Sequence, residues 1–285
     1  MIEVEQLSYK YPHGTNDTLK NIEFKVGTGQ VFGFLGPSGA GKSTTQAILT
    51  RQTRDAYRGN LTILGKNIKD WGRDIFEKIG VSFELPNHYL KLTAKENLDL
   101  FASLYQKPVH KTNDLLGMVG LESEKDRRVG EFSKGMKMRL NFVRALLHDP
   151  DLIFLDEPTS GLDPSNARII KDIIIDLKNR GKTIFLTTHN MTDADELCDQ
   201  VAFLVEGKIR LIDSPKELKL RYGKKSVKVE YLNSGKQKEK SFEMNKLGEN
   251  TNFISLLNKH EIQTIHTEEA SLDQIFIETT GQKLK

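Results

Sequence analysis

The eight residues "GPSGAGKS", at positions 36–43, constrain the fold of this chain more than any other stretch. They match the pattern Gly-x4-Gly-Lys-Ser. An apolar run, QVFGFLG at 30–36, leads into them, and a helix-like segment, KSTTQAILTRQ, starts at residue 42. A glycine-rich loop between a buried strand and a helix N-terminus directs backbone N–H groups at phosphate. The sequence therefore predicts a phosphate-binding loop in a fold of alternating strands and helices.

The residue types of this loop suit a nucleotide with its metal ion. Its glycines let the backbone turn amides inward around phosphates. We expect Lys42 to reach the β- and γ-phosphates, Ser43 to offer its hydroxyl to Mg²⁺, and Thr44 to touch the α-phosphate. A glycine-rich turn that matches by chance is the alternative, which the strand and helix on either side disfavour. The predicted cofactor-binding residues of the loop are Gly36, Pro37, Ser38, Gly39, Ala40, Gly41, Lys42, Ser43 and Thr44.

A second apolar run, LIFLDE at 152–157, ends in two carboxylates. Asp156 at the strand end is expected to hold Mg²⁺ through water, and Glu157 to orient or activate the attacking water. The alternative is that the two acids only cap the next helix. His189 follows TIFLTT, again at the end of a strand, where parallel sheets bind ligands. A loop histidine is usually inert, so only this position suggests a hydrogen bond to the γ-phosphate.

The stretch EFSKGMKMRL, at 131–140, predicts a second helix N-terminus suited to an anion. Ser133 is a favoured N-cap residue, and an apolar helical rhythm follows it. The chain thus carries two phosphate-seeking helix starts about a hundred residues apart in sequence. Ser133 is a helix cap in either case; its further use depends on the rest of the chain.

Composition limits the class of protein. The 285 residues suit one large domain and a small one, and a net charge of +3 does not indicate a nucleic-acid surface. Cys198 is the only cysteine, so no intrachain disulfide can form, which fits a reducing compartment. The N-terminus lacks the pattern of a signal peptide, and the apolar runs are much shorter than a spanning helix. We expect any membrane role to act through a partner.

Hydrophobic periodicity predicts an α/β fold with a mostly parallel sheet, because buried strands alternate with helices. Between about residues 85 and 150 the pattern is mainly helical. Composition changes near residue 222, where a predicted hairpin with a lysine-rich turn begins. We therefore expect a main domain over 1–222 and a small α+β domain over 223–285, ending in a helix with capping-box residues Ser271 and Gln274.

Taken in order, these motifs resemble the ATP-binding subunit of an ABC transporter over residues 1 to about 222. "FSKGM" stands where that family has its signature loop, usually Leu-Ser-Gly-Gly-Gln; Ser133 and Gly135 are kept, whereas Lys134 and Met136 depart from it. The resemblance implies a P-loop NTPase core with an antiparallel β subdomain and an inserted helical subdomain. It also implies that two such domains pack head to tail, so that Ser133 and Gly135 bind the ATP of the partner domain.

The resemblance assigns further site residues. "SGLD" at 160–163, with Asp163, corresponds to the loop that bridges the two active sites. Tyr11 is expected to stack on adenine, with Tyr9 as the alternative. Glu84 stands where most members have a glutamine that meets Mg²⁺; the alternative is that Glu84 faces solvent. The implied catalytic residues are Glu157, His189 and Lys42, and the implied metal residues are Ser43, Glu84 and Asp156.

The favoured function is an ATP-hydrolysing motor subunit that joins a membrane-spanning transporter subunit and a second nucleotide-binding domain, expected to be an identical copy. The C-terminal SLDQIFIETTG is similar to the end of a segment found on drug- and lipid-exporter ATPases, which favours export. Its expected location is the inner face of the cell membrane, without nucleic acid as a partner. A soluble ABC ATPase acting on ribosomes or DNA is the alternative. A P-loop kinase would leave "FSKGM" and "SGLD" unexplained.

Overall fold

The computed structural model describes residues 1–12, 14–53, 57–106, 110–223, 226–233, 235–268 and 270–282. These residues divide into two compact units, Met1–Ser214 and Pro215–Gln282. The domain boundary that composition suggests, near residue 222, stays a prediction. Within the described residues, no helix is both long enough and apolar enough to cross a bilayer.

The first unit combines strands and helices in the predicted alternation. Its strands are β1 (Ile2–Tyr9), β2 (Leu19–Val26), β3 (Val31–Leu35), β4 (Tyr57–Ile63), β5 (Lys66–Asn67), β6 (Ile79–Ser82), β7 (Leu152–Asp156), β8 (Thr183–Thr188), β9 (Gln200–Val205) and β10 (Lys208–Asp213). Its helices are α1 (Lys42–Leu49), α2 (Ala94–Ala102), α3 (Thr112–Met118), α4 (Lys134–Arg144), α5 (Pro164–Asn179) and α6 (Met191–Leu197).

A mostly parallel sheet carries the site. Among the described residues its strand order is β10-β9-β3-β8-β7-β6, and every pairing except β10–β9 is parallel. All residues of β3, β7 and β8 are buried, which explains why they appear in the sequence as continuous apolar runs. Because these three strands are parallel, the phosphate loop, the Asp156–Glu157 pair and His189 follow from the same edge of the sheet. The predicted fold class is confirmed.

An antiparallel sheet, of order β2-β1-β4-β5 in the described residues, packs against the parallel sheet. Phenylalanine rings fill the space between them: Phe24 of β2 stacks on Phe32 of β3 with ring centroids 5.5 Å apart, and Phe185 of β8 lies 6.0 Å from each. Aromatic pairs at such distances add to the free energy of burial. This core fixes β3, and therefore the loop that follows it.

The segment between β6 and β7 is mainly helical, as the sequence predicts. Thr93 and Glu96 form a capping box that starts α2, and Ser133 caps α4 by accepting from the Met136 N–H. Helices α2, α3 and α4 contact one another. Helix α4 also contacts β6 of the parallel sheet, so this helical group is attached directly to the strand that leads to Glu84.

The second unit is a small α+β body. It comprises α7 (Pro215–Tyr222), β11 (Ser226–Asn233), β12 (Lys236–Glu243), α8 (Thr251–Lys259), β13 (Glu261–Glu268) and α9 (Leu272–Thr280). Its described strands form an antiparallel sheet, β12-β11-β13, whose core includes Val229, Phe242 and Leu256. The capping box of Ser271 and Gln274 is confirmed. The lysine-rich stretch expected to be a turn is instead strand β12, because it pairs along its whole length with β11.

Candidate functional site

The phosphate loop owes its shape to glycines at two positions in particular. A Cβ on Gly36 would lie 2.1 Å from the carbonyl oxygen of Leu204, so any side chain there would clash with β9. Gly41, at the N-cap of α1, has φ 112°, a conformation that residues with a side chain rarely adopt. The loop can therefore lie close against β9 and turn its backbone toward the open edge of the sheet.

Lys42 is the first residue of α1 and is buried, with 8% of its surface exposed. Its Nζ donates to the carbonyl oxygens of Gly36 and Pro37, at 2.6 and 3.1 Å. Burial lowers the pKa of this ammonium, and the carboxylates of Glu157, Asp156 and Glu84 oppose that shift. Among the described residues this buried cation donates hydrogen bonds only to its own loop, which suits an anionic ligand with several oxygens.

Asp156, at the end of β7, is also buried. Its carboxylate accepts a hydrogen bond from the Thr187 hydroxyl of β8. Burial raises the pKa of Asp156, with further contributions from the negative charges of Glu84 and Glu157. The site thus concentrates negative charge that a bound cation would relieve.

Glu157 is held by three hydrogen bonds. Its Oε1 accepts from the backbone N–H of His189 at 2.9 Å and lies 2.7 Å from His189 Nδ1, and its Oε2 accepts from the Thr188 hydroxyl at 3.1 Å. The backbone of Glu157 has φ 49°, a strained conformation for a residue other than glycine. The carboxylate is therefore fixed in place, whereas the His189 side chain stays half exposed.

The structure separates the two tyrosines left open by the sequence. Tyr9 lies in the core with 5% of its surface exposed, whereas Tyr11 is 46% exposed and lines the cavity. The rings meet edge to face with centroids 5.0 Å apart, and the Tyr11 hydroxyl lies 3.0 Å from Thr44 Oγ1. Tyr11 is therefore the tyrosine placed to present a ring face to a ligand.

These residues surround a cavity of about 460 Å³. Glu84, although largely exposed, lines it together with Lys42 and the carboxylates. In the described residues no group of three or more His, Cys, Asp or Glu side chains could hold a metal. Mg²⁺ is commonly held by one or two carboxylates together with phosphate oxygens, and the oxygen donors present fit that pattern. The lining residues are Tyr11, Thr18, Ser38, Gly39, Gly41, Lys42, Ser43, Thr44, Glu84, Asp156, Glu157 and His189.

Six predicted site residues do not line this cavity. Gly36, Pro37 and Ala40 belong to the phosphate loop itself, whereas Ser133, Gly135 and Asp163 lie on other elements. Ser133 caps α4, and Gly135 lies in the first turn of that helix beside Leu162. Asp163 caps α5 by accepting from the N–H groups of Ser165 and Asn166. Hydrogen bonds from Asn166 hold the pKa of Asp163 below its usual value. Neither Ser133 nor Gly135, at the N-terminus of α4, is among the residues that line the cavity.

Three threonines were missed by the sequence analysis. Thr18 lines the cavity, and Thr187 and Thr188 bond the two carboxylates. The signal for the latter pair was available, since both directly precede His189 at the end of β8. For Thr18 no sequence pattern points to the site.

The fold and the cavity define a P-loop ATPase cassette, and comparisons with known families agree. Residues 19–160 match the family model described as ABC transporter. Residues 225–269 match a second model, described as Fluoroquinolone efflux ABC transporter C-terminal domain. The two matches fall in different units of the chain.

Curated relatives extend this similarity to the whole chain. A "Fluoroquinolones export ATP-binding protein" of Mycobacterium tuberculosis is 53% identical over 285 residues, covering 100% of this chain and 94% of the relative. A "Bacitracin transport ATP-binding protein" of Bacillus licheniformis is 39% identical over 201 residues, covering 69% of this chain and 65% of the relative. The chain belongs to the ATP-binding proteins of the ABC transporter family, and it is an ATP-hydrolysing motor subunit.

Solved structures support the same conclusion. An ATP-binding cassette in a dimeric, post-hydrolysis state bound to ADP and Pi matches with a TM-score of 0.69 and 26% identity, covering 75% of this chain and 98% of that one. An ATP-binding subunit of an ABC transporter matches with a TM-score of 0.70 and 28% identity, covering 78% and 93%. These matches, one of them a cassette bound to ADP and Pi, support the conclusion that the chain binds ATP.

Proposed function

We propose that this chain drives an exporter by hydrolysing Mg²⁺-ATP between two copies of itself, docked on a separate membrane-spanning subunit. The observation that carries the proposal is the cavity in which Lys42, Asp156, Glu157 and His189 converge at one sheet edge. That convergence supports a complete half-site for ATP in each chain. The relatives named as export ATP-binding proteins support the direction of transport.

In this proposal Glu157 is the general base. Its carboxylate is oriented by His189 and Thr188, so it is ready to accept a proton from a water aligned with the γ-phosphate. Lys42 neutralises charge on the β- and γ-phosphates once its Nζ leaves the carbonyl oxygens of its own loop. Tyr11 stacks on the adenine, and the loop from Gly36 to Thr44 supplies backbone N–H groups to the phosphates.

Mg²⁺ would be held by Ser43 and Glu84, and by Asp156 through water. When bound, it supplies positive charge that neutralises the phosphates and the carboxylates around them. Burial raises the pKa of Asp156, and the carboxylates of Glu84 and Glu157 raise it further; a bound cation would offset this negative charge. Glu84 replaces the glutamine usual in the family with an anionic oxygen, a stronger ligand for this hard ion.

Helix α4, the second helix with an N-terminus suited to phosphate, explains why the proposed ATPase needs two copies of the chain. Ser133 and Gly135 lie outside the chain's own cavity, so we assign them to the γ-phosphate of a partner copy. Asp163, at the cap of α5, belongs to the loop that links the two sites. ATP then joins the two copies, and hydrolysis with product release separates them.

Fluoroquinolones are the proposed cargo class. A relative named for their export is 53% identical over 285 residues and covers both units of this chain. We place the chain on the cytoplasmic face of the membrane, held there by its membrane subunit. The division into an ATPase domain, 1–222, and an accessory domain, 223–285, belongs to the same proposal.

The test uses inside-out membrane vesicles that contain the chain and its membrane subunit. We expect ATP to drive accumulation of a fluorescent fluoroquinolone, and Lys42→Ala to abolish accumulation while the chain stays on the vesicles. ATPase activity without fluoroquinolone movement would contradict fluoroquinolones as the cargo, and the proposal that the chain hydrolyses ATP for transport would stand. Recovery of the chain with ribosomes or nucleic acid, rather than with membranes, would favour the soluble alternative.

A further inference from the structure

A second hydrogen-bonded contact joins the chain segments that carry Glu157 and His189. The Thr159 hydroxyl, two residues beyond Glu157, donates to Asp193 Oδ2 at 2.6 Å. Asp193 lies in the first turn of α6, four residues beyond His189. Such a short distance is typical of a hydroxyl that donates to a carboxylate, a stronger bond than one between neutral groups. The two segments are therefore joined twice, directly through Glu157 and His189 and again through Thr159 and Asp193.

Helix α5 supplies a counter-ion for Asp193. Asp193 is 7% exposed, and Lys171 Nζ lies 3.4 Å from its Oδ1 while also donating to Glu196 of α6. The hydrogen bond to Glu196 raises the pKa of Lys171, so the ammonium stays charged at physiological pH. Apolar side chains in place of a buried ion pair often stabilise a fold as well or better. The buried pair between α5 and α6 therefore points to a role for Asp193 beyond folding.

The backbone of Glu157 needs contacts on both sides. Its φ of 49° is strained, and such a conformation persists only where surrounding contacts hold it. Its N–H donates to the Thr187 carbonyl oxygen of β8 at 2.9 Å. The Ser160 N–H donates to the Glu157 carbonyl oxygen at 3.0 Å, so the chain turns directly after Glu157. The Thr159 side chain anchors that turn to α6.

Asp193 is also connected to the residues on both sides of His189. Asn190 Oδ1 accepts from the Asp193 N–H at 3.1 Å, and the Asn190 N–H donates to the Thr188 hydroxyl at 3.0 Å. That hydroxyl in turn donates to Glu157 Oε2. A displacement of Asp193 would therefore move the groups that orient the Glu157 carboxylate.

We propose that Thr159, Asp193 and Lys171 are positioning residues for ATP hydrolysis, which hold Glu157 and His189 in the geometry that attack by water requires. None of the three is among the residues that line the cavity, so they act through Glu157 and His189. Catalysis depends on reacting groups being held in line, and a displaced carboxylate is a poorer base for the attacking water. The inference rests on the proposed function, because it takes Glu157 as the general base.

The test compares two substitutions of Thr159 in the full-length chain. Thr159→Val keeps the shape and removes the hydroxyl, and we expect it to lower kcat for ATP hydrolysis about tenfold, with KM within about twofold. KM should be kept because Lys42 and its loop are untouched. Thr159→Ser keeps the hydroxyl and should restore kcat to within about twofold of the unchanged chain. A rise in KM without a loss of kcat would overturn the proposal.

A second comparison repeats Thr159→Val in a Glu157→Gln background. Once the carboxylate that Thr159 positions has been replaced, the loss of the hydroxyl should change the single-turnover rate of hydrolysis by less than about twofold. A purely structural role would lower the rate by the same factor in both backgrounds, and that result would overturn the proposal. Near-normal turnover of Glu157→Gln alone would instead contradict the proposed function, because Glu157 would then not be the base.

Lys178 and Asp199 supply a control ion pair on the same helix. Lys178 lies on α5, about two turns beyond Lys171, and its Nζ lies 2.5 Å from Asp199 Oδ1. Asp199 Oδ2 accepts from the Val31 N–H at 2.9 Å, at the end of β3 away from the phosphate loop. Breaking this pair therefore removes a comparable contact without touching the segments of Glu157 and His189.

The two ion pairs are compared through alanine substitutions, which also cover the case in which Thr159→Val does not fold. Asp193→Ala removes the acceptor of the Thr159 hydroxyl and leaves Lys171 paired with Glu196, and we expect it to lower kcat about tenfold. Asp199→Ala should lower the melting temperature and leave kcat within about twofold. Equal losses of kcat in the two variants, or an unchanged kcat in folded Asp193→Ala, would overturn the proposal.

Discussion

Helices α1 and α4 both begin with features suited to an anion, yet their surroundings differ. The N-terminus of α1 faces a cavity of about 460 Å³ containing a buried lysine and fixed carboxylates. The N-terminus of α4 has a serine cap and an exposed lysine, and it lies outside that cavity. The comparison teaches that a phosphate-binding sequence pattern is not by itself a site. The start of α1 faces a cavity lined by the chain's own side chains, and we propose that the start of α4 meets a ligand brought by a partner.

The strongest test of the complete site is Glu157→Gln. The amide keeps the size of the side chain and removes the base, so we expect hydrolysis to fall by about a hundredfold or more. ATP should still bind, and an ATP-bound dimer should accumulate. The measurements are steady-state ATPase rate and size-exclusion chromatography with ATP. Near-normal turnover would remove Glu157 from the role of base.

The incomplete site is tested by Gly135→Glu. A Cβ at Gly135 would lie 3.4 Å from Leu162 Cδ2 and 4.0 Å from Ser133 Oγ, both ordinary contact distances. The helix dipole also favours a carboxylate in the first turn of a helix. The fold should therefore tolerate the change. The negative charge should repel the partner's γ-phosphate and lower the ATPase rate at least about tenfold.

Gly135→Ala is the control for this variant. It adds the Cβ without the charge and should lose much less activity. ATP affinity of the isolated monomer, measured by fluorescence titration, should be the same for both variants. A lower monomer affinity in Gly135→Glu would show that α4 serves the chain's own ATP, and the contrast between the two helices would disappear.

Most residues that line the cavity come from contiguous motifs, so the sequence alone indicated that they meet; their roles in binding and catalysis stay predictions. "GPSGAGKS" and "LIFLDE" each place their chemistry at a strand end, where a parallel sheet brings them together. The contacts that fix these residues were not predictable, since Thr187 bonds Asp156 and Arg144 bonds Asn87 across long sequence separations. Such pairs are defined only by the tertiary fold.

Local features of strands β1 and β12 explain two further differences between what the sequence predicts and what the structure shows. Gln6 of β1 has φ 51°, and the register of β1 with its neighbours shifts around it. The strand ends at Tyr9, so Tyr11 leaves the sheet and lines the cavity, whereas the sequence alone favoured Tyr11 and left Tyr9 as the alternative. In the second unit, the lysines of β12 lie on an edge strand of the described sheet, where charged side chains prevent pairing with strands of other chains. From the sequence alone, the same lysines favoured a turn.

Glu84→Gln tests whether the cavity at the N-terminus of α1 uses Glu84 to bind Mg²⁺. The carboxylate is a stronger Mg²⁺ ligand than an amide, and it also repels metal-free phosphate. We expect the variant to need about threefold more Mg²⁺ for half-maximal hydrolysis. It should bind ATP in EDTA equally well or better. Superimposable Mg²⁺ curves and equal affinities would leave Glu84 as a surface residue.

The smallest effect is expected from removing the second unit. A chain that ends at Ser214 keeps every cavity residue and the whole core around β3, so its ATP affinity should change by less than about twofold. A chain that ends at Tyr222 keeps α7 but loses α9, its contact within the second unit. A boundary at residue 214 predicts that this longer version exposes Leu218, fully buried in the intact chain, and aggregates more, whereas the proposed boundary near residue 222 predicts equal solubility. ATP titration and light scattering of both truncations distinguish the outcomes. Equal solubility would favour the boundary near residue 222, whereas loss of ATP binding in both would show that the nucleotide site depends on the second unit.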